Sequence, residues 1–214
     1  MADTLSLEKL QEPLPQSTQL TRFTVPDVTR LAEAGVLRDD RRYELINGLL
    51  HEMHAPGPNH QQLVRNLVYF FEDRLREHGI DPRHLVLQGE ALYFSEATYR
   101  LPDLMVLAAP PLEDGKPRFV RPSDVQLVIE VSVSTYKGDV GDKLRRYARG
   151  GIPEYWIVRV DADDWTHRVL EVRRKPVDED YREVLTLEYG DAAFTLESEK
   201  LRPLGPLRVD DVLG

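Results

Sequence analysis

Apolar positions along the chain follow two rhythms, and their alternation divides residues 23–160 into short elements. Thr24-Val25-Pro26-Asp27 offers a helix start, with Thr24 as N-cap and Pro26 in the first turn. Val28, Leu31 and Ala32 then make a short apolar stripe that Gly35 closes. Residues 42–53 form two apolar runs around Asn47-Gly48, the dipeptide a type I′ hairpin turn favours. Over residues 59–78 the period becomes 3.6: Leu63, Leu67, Phe70 and Phe71 share a stripe, and Gly79 ends it. His60 lies on that stripe in the first turn, so it is expected to point inward, either as a core or capping histidine or as a site residue.

Strand patterns follow. Residues 85–94 suit one strand, with Gly89 allowing close approach. Residues 102–108 suit the next, with proline first and Asp103, Met105 and Leu107 on one face. Residues 110–122 are a proline-rich, charged loop. Residues 125–133 are apolar on both faces, as in a central strand covered on both sides, yet they carry one carboxylate, Glu130. A basic amphipathic helix is expected over 136–149. Val140, Leu144, Tyr147 and Ala148 form its apolar stripe, Lys143 sits at the edge, and Gly150-Gly151 stop it. Residues 153–160 give another buried strand. Residues 168–173 and 183–188 look like an added hairpin, and 201–213 an apolar-spaced C-terminal segment. From 59 to 160 the order is helix, strand, strand, strand, helix, strand, a mixed α/β (α+β) layer with helices for both faces. The expected organisation is a flexible tail over 1–22 and a single domain over 23–214, with its core at 59–160 and a C-terminal extension at 165–214.

Composition narrows the chemistry. The chain has 214 residues and no cysteine, so a disulfide framework or thiolate metal site is excluded. It has no apolar run near the roughly 20 residues of a membrane span, and its first residues lack the pattern of a signal peptide. A cytoplasmic protein is the expectation. A net charge of −9 argues against a broad nucleic-acid-coating surface. It leaves room for a local basic patch, Lys137, Lys143, Arg145, Arg146 and Arg149, which by itself reads first as a solvated helix face.

A charge inside an apolar strand is costly unless it is paired or holds a metal. Glu130 and Asp103, one at the mouth of each of two strands, could share Mg²⁺ or Mn²⁺, ions held by one or two carboxylates with water and phosphate oxygens. Lys143 could then neutralise developing charge, and His60 or Glu44 could aid a second metal or proton transfer. On spacing alone a structural ion pair of Lys143 with Glu130 is an equal account. No glycine-rich phosphate loop, nucleophile elbow or HExxH occurs. Asp161, Asp163 and Asp164 lack the glycine and closing glutamate of a calcium loop and read as a solvated turn.

Taken together, Arg42-Tyr43-Glu44-Leu45-Ile46-Asn47-Gly48, His60 opening a helix, Pro102-Asp103 opening a strand, Glu130-Val131-Ser132, Asp142-Lys143 with Tyr147, and Gly151-Ile152-Pro153-Glu154-Tyr155-Trp156 resemble the PD-(D/E)XK nuclease superfamily. More narrowly, they resemble its Uma-two family of restriction-endonuclease-like proteins. The resemblance covers residues 23–160. It implies a restriction-endonuclease-like core and metal-dependent phosphodiester hydrolysis. It further implies Asp103 and Glu130 as Mg²⁺ or Mn²⁺ ligands, the Val131 carbonyl as a third, and DNA (or RNA) as substrate. In the superfamily motif a lysine lies two residues after the second acid. Here that position is Ser132; the resemblance to the Uma-two family implies that the lysine has moved to the following helix as Lys143, with Lys137 as competitor. Val133 stands where many relatives carry proline. Duplex cleavage needs two sites or two visits, so a homodimer is expected, with the C-terminal hairpin as its interface. The alternative from another class is a nuclease-fold protein that binds nucleic acid or regulates without cutting.

Overall fold

The computed structural model describes residues 21–133, 139–161 and 163–214, the side chains of 139 and 140 excepted. In chain order the elements are α1 (Val25–Glu33), β1 (Arg42–Ile46), β2 (Leu49–Met53), α2 (Pro58–Glu77), β3 (Val86–Gln88), β4 (Leu92–Ser95), β5 (Thr98–Arg100), β6 (Leu104–Leu107), β7 (Leu112–Glu113), β8 (Lys116–Pro117), β9 (Val125–Ser132), α3 (Leu144–Arg149), β10 (Glu154–Val160), β11 (Arg168–Val177), β12 (Asp180–Leu187) and α4 (Val209–Leu213). Most of the expected tail, residues 1–20, lies outside the described residues, as do Lys137 and the expected start of the helix at 136.

Local chemistry accounts for the first elements. The Thr24 side chain accepts the Asp27 N–H while the Asp27 carboxylate accepts the Thr24 N–H, a reciprocal cap on α1. Asn47 and Gly48 have φ of 50° and 80°, the left-handed pair that a type I′ turn between β1 and β2 requires. A side chain at Gly48 would also overlap Arg22.

The main sheet has six strands in the order β12-β11-β10-β9-β6-β3. β9 runs parallel to β10 and antiparallel to β6. β10 shows how the layers stack. Neighbouring residues of a strand point to opposite faces: Trp156 meets Phe71 of α2 with ring centroids 5.6 Å apart, and Tyr155 meets Tyr147 of α3 at 5.0 Å. One helix therefore covers each face. The expected order of helix, three strands, helix and strand is present as α2-β3-β6-β9-α3-β10. A second sheet, β2-β1-β5-β4, closes a small core of Val25, Val28, Leu45 and Tyr99.

Three expectations change. Residues 85–94 are not one strand but two, β3 and β4, in different sheets. Gly89 turns the chain at φ 62°, its N–H donates to the Asp103 carbonyl, and its own carbonyl accepts from Arg42. The helix expected over 136–149 is a wide π turn, Asp139–Lys143, broken by non-helical Gly141, followed by six residues of α3. The added hairpin is longer than its apolar runs and joins the main sheet through β10 and β11. The C-terminal segment is buried as its spacing implied, with Leu201, Leu204, Leu207, Val209, Val212 and Leu213 in the main core. Among the described residues no helix is long and apolar enough to cross a membrane.

Candidate functional site

Asp103 follows Pro102 immediately before β6. Leu104 pairs with Ile129, so the antiparallel register carried back one residue sets Asp103 beside Glu130 of β9. Its Oδ2 accepts the Val131 N–H at 2.8 Å and lies 3.1 Å from His60 Nε2, which the first turn of α2 supplies. Glu130 is 2% exposed. Its Oε1 accepts the Tyr147 hydroxyl at 2.7 Å, and its Oε2 lies 2.9 Å from Lys143 Nζ at the end of the π turn. The ion pair anticipated between Lys143 and Glu130 therefore exists, and it spans the mouth of a cleft. Asp103, Glu130, Val131, Lys143 and His60 all line this space of about 570 Å³, along with Arg42, His54, Asn59, Leu101 and Trp165.

Glu44 is not brought to the cleft. It is 1% exposed in β1 and bonded on both oxygens: Oε2 to Arg100 at 2.6 Å, Oε1 to the Leu101 N–H at 2.9 Å. Arg100 also grips Asp142, the residue before Lys143. Glu44 thus reaches the site indirectly, along the chain to Asp103 and through Arg100 to the turn that carries Lys143. Arg100 and the hydroxyl role of Tyr147 were missed from sequence. Tyr147 reads as part of an apolar stripe and as one of the residues that carry the family resemblance, with no role for its hydroxyl. A signal for Arg100 was present, because Glu44 in an apolar strand demands a buried cation as Glu130 does.

The charges are tuned by these contacts. Burial alone would lower the His60 pKa, but the hydrogen bond and charge of Asp103, with the Val131 backbone, outweigh it and the Lys143 charge, leaving it above 6.5. Burial pushes Asp103 up, yet the His60 bond and charge, the Val131 N–H and Lys143 hold it below 3.8. Burial and the Glu130 carboxylate raise the Tyr147 hydroxyl well above its usual 10, so it remains a donor. The His60–Asp103 contact accordingly stabilises fully below pH 6.5, and that share is lost as pH rises through the higher folded value. On the acid side, the contribution of Asp103 is present above 3.8 and lost as pH falls through its lower folded value. In metal-free protein the His60 ring is expected to titrate above 6.5 by NMR and to return toward or below 6.5 in Asp103→Asn. A wild-type midpoint under 6 would refute the pairing.

The donor set suits a hard cation. Among the described residues no three His, Cys, Asp or Glu side chains cluster tightly enough to cage an ion alone. What the cleft offers is two carboxylates and a backbone carbonyl, the oxygen donors of Mg²⁺ or Mn²⁺, ions that keep several waters. Among the described residues none donates to Asp103 Oδ1, since His60 and the Val131 N–H both meet Oδ2.

The family model Uma2, described as "Putative restriction endonuclease", matches residues 25–198. The structure is similar to that of an Anabaena variabilis protein described as "a putative nuclease belonging to DUF820", with a TM-score of 0.64 at 15% sequence identity, over 89% of this chain and 97% of the other. That likeness, with the mixed sheet and its covering helices, identifies a restriction-endonuclease-like fold. A search of curated proteins matched none.

Proposed function

Since the chain belongs to the Uma2 family, we propose that it is a Mg²⁺- or Mn²⁺-dependent nuclease that hydrolyses phosphodiester bonds of DNA in the cleft beside β6 and β9. The observation that carries this reading is the convergence of Asp103, Glu130 and Lys143 on one cleft, with Lys143 Nζ 2.9 Å from Glu130.

Asp103, Glu130 and the Val131 carbonyl would hold the ion. When bound, such an ion polarises a phosphoryl oxygen and lowers the pKa of water. Lys143 balances the Glu130 charge before substrate arrives and stands where it can offset charge developing on the phosphate. His60 fixes the rotamer of Asp103 through Oδ2 and stands where it can exchange a proton with a leaving oxygen. Glu44 is a positioning residue acting through Arg100 and Leu101. A homodimer would bring a second site to the opposite strand, and a cytoplasmic location suits a nucleic-acid substrate.

The test is cleavage of supercoiled plasmid and of RNA by the purified protein. Nicking is expected with Mn²⁺ or Mg²⁺ and not with EDTA. Lys143→Met is expected to slow it by about 10²–10³-fold, the usual cost of losing one transition-state donor. No cleavage of either nucleic acid, together with no Mn²⁺ binding by calorimetry, would leave the non-catalytic binding protein as the better reading.

A further inference from the structure

Outside the cleft, a second concave surface is built from residues the nuclease site does not use. Two hollows, of about 880 and 350 Å³, share Phe94 and Pro122 in their walls. In the larger, Phe119 stacks on Tyr93 with ring centroids 4.3 Å apart and planes 25° from parallel. Phe119 nevertheless stays 58% exposed, a large flat apolar face left in water at the rim of a cavity. Beside it stands Arg121. The smaller hollow is lined by Arg145, Arg146 and Arg149, with the Arg146 guanidinium 5.8 Å from the Phe94 ring centroid.

In an acidic chain these hollows carry more arginine than carboxylate: Arg30, Arg121, Arg145, Arg146 and Arg149 against Glu96, Asp142 and Glu179. Arg121 and Arg145 are exposed and form no ion pair with a described residue. Arg149 pairs with Glu179 at the surface, and Arg146 lies 3.6 Å from Asp142, a carboxylate Arg100 already holds. The Arg149–Glu179 pair is exposed on both sides and therefore weak, whereas Arg146 is mostly buried and stays with Asp142. Asp142 lines the smaller hollow while the next residue, Lys143, lines the cleft, so the π turn borders both.

We propose that these hollows form a binding track for single-stranded nucleic acid, in which an unpaired base extends the Phe119–Tyr93 stack and the phosphates lie against Arg121, Arg145 and Arg149. An unpaired strand is favoured over a duplex because paired bases are already stacked on each other and cannot offer a face to a ring. It is favoured over an acidic peptide because the arginines alone would serve a peptide, whereas the stacked aromatic pair matches a base. The role of the track in delivering a strand to the cleft rests on the nuclease reading; its binding does not.

The test is fluorescence anisotropy with a labelled oligothymidylate and a blunt duplex of equal length, in EDTA, using the full chain. Wild type is expected to prefer the single strand. Phe119→Ala is expected to weaken that binding by about tenfold, within the range for loss of one base stack, and Phe119→Tyr to restore it. Arg145→Ala is expected to weaken binding and to lower the salt dependence by about 0.7 in log–log slope, one phosphate's worth for a single strand. Binding is read in EDTA, where no metal-dependent cleavage occurs, so lost cleavage and a lost track are told apart. The proposal is overturned if wild type does not bind the oligothymidylate, if Phe119→Ala binds it as wild type does, or if duplex and single strand weaken equally. It is also overturned if polyglutamate, and no oligonucleotide, occupies the site.

Discussion

Asp103→Asn is expected to remove Mn²⁺-dependent cleavage by about 10³-fold or more while the protein stays folded. On the proposed reading an ion held at this cleft would contribute several kcal/mol to transition-state stabilisation, and each ~1.4 kcal/mol is a factor of ten in rate. The amide keeps the shape of the carboxylate and an oxygen that can accept the Val131 N–H, which Asp103 takes at 2.8 Å. What it loses is the negative charge an ion needs and the anionic partner of His60. Glu130→Gln should have the same effect on rate at greater cost to folding, because it neutralises the carboxylate that the mostly buried Lys143 ammonium meets at 2.9 Å. Plasmid nicking rates and Mn²⁺ calorimetry on proteins with matched circular dichroism check both. An Asp103→Asn variant cutting within tenfold of wild type would remove Asp103 from the metal site.

Arg100→Met is expected to have the largest effect on stability. Arg100 is 6% exposed and its partner Glu44 1%, so the substitution strands a buried carboxylate. Breaking a buried pair from one side costs about 3–5 kcal/mol, and for a chain of this size that lowers Tm by roughly 10 °C. The double variant Glu44→Gln with Arg100→Met should lose less than the sum of the single losses, because the two side chains are one interaction. Activity should fall as well, with kcat affected more than KM, since Arg100 holds Asp142 next to Lys143 and Glu44 bonds the Leu101 N–H two residues before Asp103. Thermal unfolding of the single and double variants decides it. A Tm change below 2 °C for Arg100→Met would show that the pair contributes nothing net.

These two sites differ in how far sequence reveals them. Asp103 and Lys143 were both nominated from the pattern, Asp103 as the charge opening an apolar strand and Lys143 as the cation at the edge of an amphipathic helix. Glu44 was nominated for the cleft and stands behind it. Its place is set by β1 pairing with β5 and by Arg100, 56 residues further along the chain. Glu154 carries the same warning. It is a fully buried carboxylate in an apolar strand, much like Glu130, but Arg174, the Trp156 ring N–H and the Glu197 N–H satisfy it away from the cleft. Three strand carboxylates look alike in sequence, and only their partners separate the one beside Asp103 from the two that hold the structure together.

What the sequence alone determined is what short-range sterics and hydrogen bonding decide within a few residues: the Thr24 cap, the Asn47-Gly48 turn, the apolar stripe of α2, the doubly buried β9 and the order of the core elements. Tertiary structure decided the transfer of the chain between sheets at Gly89, the π turn at Asp139–Lys143 in place of a regular helix, and the partner each buried charge receives. The division has one physical cause. Backbone conformation answers to near neighbours, whereas the desolvation of a charge is relieved by whichever opposite charge the fold brings within about 3 Å. For Glu130 that charge is Lys143, carried across the cleft mouth by a turn that no local periodicity announces.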